Sequence, residues 1–193
     1  MSAERASLNF LQTLSGTATT TAHHVDAVRG TGTKILDTRK TIPGLRLAQK
    51  YAVRVGGGSN HRIALYDAVM LTENHIRAFG SVAAAIARAR ALHPELPLIV
   101  EVETLAQLRD ALDTGCTRIL IDDFDADTRR EAVRIAKGAP YAGRIPLEVS
   151  GGVDMSTLRG IAGDGVDCIS IGGLTKHVHA IDFSLKLGPP PGG

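Results

Sequence analysis

The chain has 193 residues, 44% of them hydrophobic and 22% charged, with a formal net charge of +2. That is the profile of a soluble globular protein long enough for one domain with a substantial core. Cations and acids are interspersed, Trp is absent and aromatics make up 4%, which argues against a nucleic-acid partner; no apolar run is long enough for a membrane span.

Residues 3–28 predict a helix, with Leu8, Leu11 and Leu14 beside Phe10 as its apolar stripe. No secretory signal opens the chain, so a cytoplasmic location is expected. Short apolar runs then predict strands at 34–37, 67–71, 97–103, 118–121, 146–149 and 167–171. Helical patterns predict helices at 45–55, 80–92, 104–114, 126–138 and 154–162. Residues 180–187 predict a last strand or helix, and the Gly/Pro tail 188–193 reads as disordered. No linker or repeat interrupts residues 1–187, which read as one domain.

Strands that alternate with helices imply βαβ units and a parallel sheet. The strands are apolar on both faces, as a sheet covered by helices requires. Polar clusters follow nearly every strand, which favours a barrel over an open doubly wound sheet, because barrel strand ends converge on one mouth. A full eight-fold barrel takes ~250 residues. The expected fold is therefore an incomplete, open α/β barrel of parallel strands, TIM-barrel-like, preceded by an N-terminal helix. The cysteines, Cys116 and Cys168, form no CxxC pair. A zinc site is not expected, and both read as small buried apolar residues.

The polar clusters carry the candidate chemistry. Arg39 and Lys40 sit in the loop leaving the first strand, where a planar fork and a mobile point charge suit carboxylates. Gly56-Gly57-Gly58-Ser59-Asn60-His61-Arg62 lets backbone approach a ligand, but matches neither the P-loop nor the GxGxxG spacing. Glu101 and Glu103 are two apart and share a strand face, and Asp122 ends the next strand. Such carboxylates, with a sugar diphosphate, make a plausible Mg²⁺ environment. Glu103 and Asp123 have a second reading as acids opening the helices that follow. Ser150-Gly151-Gly152 and Gly172-Gly173 follow the last two strands, where barrels hold phosphate, and His177 lies close behind the second loop. His23 and His24 are expected in solvent, without a role.

With these residues in hand, the chain resembles the quinolinate phosphoribosyltransferase family. Glu4-Arg5 through Leu8-Asn9-Phe10-Leu11 to Leu14-Ser15-Gly16 is similar to its ERxxLNFLQxLSG helix. Asp37-Thr38-Arg39-Lys40-Thr41-Ile42-Pro43-Gly44-Leu45-Arg46 resembles its DTRKTxPGLR, and Lys50-Tyr51-Ala52-Val53 with Gly56 to Arg62 resembles KYAVxxGGGxNHR. The resemblance implies that quinolinate and phosphoribosyl pyrophosphate give nicotinate mononucleotide, pyrophosphate and CO₂, a step of NAD biosynthesis. It implies Mg²⁺ and a homodimer or larger assembly. Arg39, Lys40, His61 and Arg62 would hold the quinolinate carboxylates, Thr38 and Thr72 would join the substrate-binding residues, and Glu101 and Asp122 would face the ribose and the metal-bound pyrophosphate, with Lys40, Glu101 and Asp122 as catalytic residues. Ser150, Gly151, Gly152, Gly172, Gly173 and His177 would hold the 5′-phosphate.

The chain departs from the family pattern. Thr72 stands where the family has a substrate-contacting lysine, Asp123 where Asn is usual and Gly173 where Ala is common. The family also carries a domain ahead of the first helix, and without it this chain is expected to be weakly active or inactive alone. Two other readings stay open: the pyrophosphorylase-like paralogue found with molybdate-transport genes, and a catalytically dead binding or scaffold subunit.

Overall fold

The computed structural model describes residues 2–186 and 188. The chain begins with α1 (Ser2–Ala27) and then alternates: β1 (Lys34–Leu36), α2 (Arg46–Val55), β2 (Val69–Leu71), α3 (Glu73–Phe79), α4 (Val82–Leu92), β3 (Leu98–Val102) and α5 (Leu105–Thr114). It continues through β4 (Arg118–Asp122), α6 (Ala126–Lys137), β5 (Leu147–Ser150), α7 (Met155–Gly163), β6 (Cys168–Ser170) and α8 (Gly173–Lys176). The six strands form one parallel sheet in the order β1-β6-β5-β4-β3-β2. The sheet is open between β1 and β2. Ser59 bridges to Leu36 in parallel there, so the segment after α2 lines the seam without forming a strand.

Strand parity builds two faces. Leu98, Val100 and Val102 of β3, Ile119 and Ile121 of β4, and Leu147 and Val149 of β5 belong to the main core, together with Leu108, Ala132 and Leu158 from the helices. The alternate positions point into the barrel, where Ile99 and Leu120 meet Ala68 and Met70 in a small separate cluster. Full burial of such a side chain stabilises by roughly 1.5–3 kcal/mol, so the larger outer core fixes the register. Register in turn decides which polar residues face inward: Glu101, Asp122, Glu148 and Ser150 have the parity of the interior.

Several expectations need correction. α3 was not expected, because Gly80, with φ +82°, ends it and Ser81 caps α4 immediately after, accepting the Ala84 amide at 3.1 Å. The one helix predicted over 80–92 is α4 alone, and the four-residue α8 is too short to carry periodicity. Residues 180–186 form neither strand nor helix; the Ile181 amide donates to the Gln12 carbonyl of α1 at 3.0 Å. The tail expected to be disordered lies, apart from Gly188, outside the described residues. The proposed apolar stripe of α1 is also incomplete. Phe10 and Leu11 are 56% and 50% exposed, and the buried face is Leu8, Gly16, Thr17 and Thr21. His23 is exposed, while His24 is half-buried and reaches the Thr20 carbonyl at 2.7 Å. Cys116 and Cys168 are free and buried, as the sequence implies.

Candidate active site

The loops at the C-terminal ends of the strands surround a cavity of about 440 Å³. The loop after β1 contributes Thr38, Arg39 and Lys40, and the seam contributes His61 and Arg62. Ser150, Gly151 and Gly152 follow β5, and Gly172, Gly173 and His177 follow β6. Three candidates lie off this wall. Asp122 sits beside it, since a β-carbon built on Gly151 would lie 3.2 Å from Asp122 Oδ1. Glu101 lies within electrostatic reach of Asp122. Thr72 leads into α3, where its amide and hydroxyl reach His75 Nδ1 at 3.1 and 3.0 Å.

A buried polar network holds the first two clusters together. Asp37 is fully buried; it pairs with Lys50 and accepts from Asn60 Nδ2 at 2.5 Å and the His61 amide at 2.8 Å. Lys50 also donates to the His61 carbonyl at 3.0 Å. Burial pushes the Asp37 carboxyl upward, against the opposing pull of Lys50 and the other donors. The Arg39–Lys40 backbone is clamped separately. Arg46 donates to the Arg39 carbonyl (3.0 Å), Thr175 to the Lys40 carbonyl (2.8 Å), and Gln49 to the Thr175 carbonyl (2.7 Å). Among the described residues the side chains of Arg39, Lys40, Arg62 and Lys176 have no ion-pair partner, and Arg62 Nη1 donates to the Ala68 carbonyl at 3.1 Å. Burial, and then the nearby Arg39, lower the Arg62 guanidinium from its ordinary value.

The glycine loops need their glycines. Gly151 and Gly152 have φ of +85° and +55°, the left-handed region that side chains rarely adopt. A β-carbon on Gly172 would meet Lys40 Cδ at 3.2 Å and Lys176 Cε at 3.7 Å, so the two lysine stems lie against its backbone. No protein acceptor among the described residues takes the Gly151, Gly152, Gly172 or Gly173 amide. Backbone donors beside cations suit an anion.

The acids sit on the other side of the mouth. Burial, then Asp122, Glu73 and Glu103, push the Glu101 carboxyl up to about 7. Burial, Asp123 and Glu73 raise Asp122, with Lys40 pulling the other way. Glu103 lies beyond β3 and is exposed; its amide donates to Gln107 Oε1 at 2.8 Å at the start of α5. Among the described residues no three or more His, Cys, Asp or Glu are placed to hold a metal unaided.

Sequence reasoning missed Lys176, Glu148 and Ser170, all on the cavity wall. Lys176 is a fourth cation. Glu148 was legible: it precedes Ser150 by two on a strand, the same parity that singled out Glu101.

The sequence of residues 17–186 matches the family model for the quinolinate phosphoribosyl transferase C-terminal domain. The chain belongs to this family. It is 46% identical to the nicotinate-nucleotide pyrophosphorylase (carboxylating) of Mycobacterium leprae, over 97% of this chain and 65% of that protein. It is 43% identical to the probable enzyme of that name from Bacillus subtilis, over 97% of this chain and 63% of the relative. NadC from Streptococcus pyogenes superposes with a TM-score of 0.89 at 47% identity, covering 95% of this chain and 63% of that one. The nicotinate-nucleotide pyrophosphorylase of Francisella tularensis gives 0.88 at 49% identity, over 93% and 62%. The chain thus spans just under two thirds of these relatives.

Proposed function

We propose that this chain is the barrel domain of a quinolinate phosphoribosyltransferase, which makes nicotinate mononucleotide, pyrophosphate and CO₂ from quinolinate and phosphoribosyl pyrophosphate. The observation that carries the reading is the division of the mouth. Four unpaired cations, Arg39, Lys40, Arg62 and Lys176, stand with two glycine loops on the cavity wall, and the raised carboxylates Glu101 and Asp122 stand beside it. A dianion and a phosphorylated sugar fit the cationic side. The names of the relatives support this over the molybdate-associated paralogue and the scaffold reading.

In this mechanism Arg39, Lys40 and Arg62 hold the quinolinate carboxylates, with the loop clamps keeping their backbones in place before the ligand arrives. The free amides of the glycine loops hold the 5′-phosphate. Glu101 and Asp122 stabilise the positive charge that develops on the ribose as pyrophosphate departs. The pyridine nitrogen then bonds to the sugar, and the pyridinium stabilises the electron pair left on the adjacent ring carbon as CO₂ leaves, a pair that a proton from solvent then takes up. Two crowded, raised carboxylates also fit Mg²⁺, which commonly takes one or two protein carboxylates plus phosphate oxygens; when bound it would neutralise pyrophosphate charge. Leu47, Tyr51 and Val55, four apart on one face of α2 and 60–70% exposed, support a homodimer or larger homo-oligomer. Two free buried thiols fit a reducing, cytoplasmic setting.

The test is calorimetric titration of the chain with quinolinate and, separately, phosphoribosyl pyrophosphate, followed by a turnover assay for nicotinate mononucleotide. Binding of both is expected. Failure of quinolinate to bind would remove the reading.

A further inference from the structure

We propose that Glu148 is a positioning residue of this site: it fixes the His61 ring as the neutral Nε2–H tautomer and, through that ring, holds the backbone of Arg62. Glu148 lies on β5 at the wall of the cavity and is fully buried. Its Oε2 accepts from Arg118 Nη1 at 2.9 Å. Its Oε1 has no hydrogen-bond partner among the described residues and faces His61 Nε2 at 3.4 Å. On the other side of the ring, His61 Nδ1 accepts the Arg62 amide at 2.8 Å.

The chain of contacts leaves little freedom. A backbone N–H can only donate, so Nδ1 must keep its lone pair and the ring proton must sit on Nε2. That N–H needs an acceptor in a buried place, and Glu148 Oε1 is the carboxylate oxygen that faces it. The His61 backbone is pinned independently by Asp37 and Lys50, so rotation about its side chain is the motion that Glu148 restrains. Arg62 is held at its other end, with Nη1 donating to the Ala68 carbonyl at 3.1 Å. The ring also stands between two spaces: His61 and Arg62 line both the 440 Å³ cavity and a second one of about 370 Å³ beside Pro97, Thr117 and Arg118. A displaced ring would move Arg62 and join the two spaces. His61 therefore brings a positioned ring, and the charge on the wall comes from Arg39, Lys40, Arg62 and Lys176.

Glu148→Gln separates charge and hydrogen bonding from size. The amide has one acceptor oxygen, yet Arg118 and His61 Nε2–H both need one. Either a donor faces a donor, or His61 changes tautomer and its Nδ1–H faces the Arg62 amide. Only the use of quinolinate as ligand rests on the proposed function. Long-range ¹H–¹⁵N spectra of the histidine rings in the full chain, with His61 assigned from His61→Ala, read the tautomer without any ligand. The expected result is an Nε2–H ring in the wild type and a changed pattern in Glu148→Gln. Calorimetry with quinolinate should show Glu148→Gln weaker by roughly tenfold, on the order of one hydrogen bond to a charged group. In the His61→Ala background the same change should weaken binding less than about twofold, because it acts through the ring. A wild-type ring protonated on Nδ1 would overturn the proposal even if the variant failed to fold. So would Glu148→Gln with an unchanged ring, or an equal effect in both backgrounds. If wild type binds no quinolinate, the proposed function fails, and the ring spectra still decide the role of Glu148.

Discussion

Replacing Lys50 with Met keeps the length of the side chain and removes its charge. Asp37 and Lys50 are 0% and 3% exposed, so the variant strands a carboxylate that retains only the Asn60 and His61 donors. Removing one partner of a buried pair costs about 3–5 kcal/mol, mostly from the charge left behind. At ~2–4 °C per kcal/mol for a chain of this size, the melting temperature should fall by roughly 6–20 °C. Lys50→Met with Asp37→Asn should recover much of that loss, since no buried charge remains. The pH dependence has a definite sign. Burial already raises Asp37 above its ordinary value, and without Lys50 the rise grows. The fold then favours the protonated acid, so the stability associated with Asp37 is present below its ordinary range and lost as pH rises through the raised value. The deficit of Lys50→Met should therefore shrink as the solution is acidified. Urea titrations of wild type, single and double variants at several pH values measure all of this. A loss under about 1 kcal/mol, or a deficit that does not change with pH, would refute the reasoning.

Glu101, raised from 4.5 to about 7, should cost the ligand-free protein stability as pH climbs through that window, at most ~3.5 kcal/mol at ~1.4 kcal/mol per unit, with solvent screening reducing it. Mg²⁺ affinity, measured in the presence of pyrophosphate, should rise over the same window, with proton release visible in buffers of different ionisation enthalpy. Gly16→Ala should destabilise despite lying in a helix: propensity alone favours Ala by about 1 kcal/mol, but its β-carbon would lie 2.1 Å from the His179 carbonyl oxygen. A thermal melt that rises would contradict that packing. Lys176→Met should weaken phosphoribosyl pyrophosphate binding by roughly tenfold at low salt and less at high salt, as a screened point charge requires; calorimetry at two ionic strengths checks it.

The fold was legible because its main signal is large. Runs such as Leu98–Val102 and Arg118–Asp122 bury alternate residues against helices, and the strand–helix alternation leaves a parallel sheet as the economical arrangement. What escaped were features decided by a few residues: the break at Gly80, the single turn of α8, and the threonine- and glycine-lined face of α1, which packs by close backbone approach instead of apolar bulk. Gly56 illustrates this, since a β-carbon there would lie 2.4 Å from the Ala18 carbonyl oxygen.

The site divides along the same physical line. Residues whose role follows from position, such as Arg39, Arg62, Gly151 and Gly172, could be found by asking what stands at the end of an apolar run. Residues whose role follows from partners could not. Asp37 ends a predicted strand and Lys50 sits on a predicted helix, with nothing in their spacing to join them, yet both are buried because each supplies the countercharge the other needs. Glu148 is likewise buried, and the half-buried Arg118, 30 residues away, meets it because β4 and β5 pair Leu120 with Glu148 inside the barrel. Desolvating Asp37, Lys50 or Glu148 alone would be prohibitive. Their burial is therefore the consequence of the sheet register, and the register is set on the outer face, where Ile119, Ile121, Leu147 and Val149 pack against the helices. An apolar substitution on that outer face should thus disturb the Arg118–Glu148 pair before it reaches the cations at the mouth, whose backbones are fastened separately through Arg46, Gln49 and Thr175.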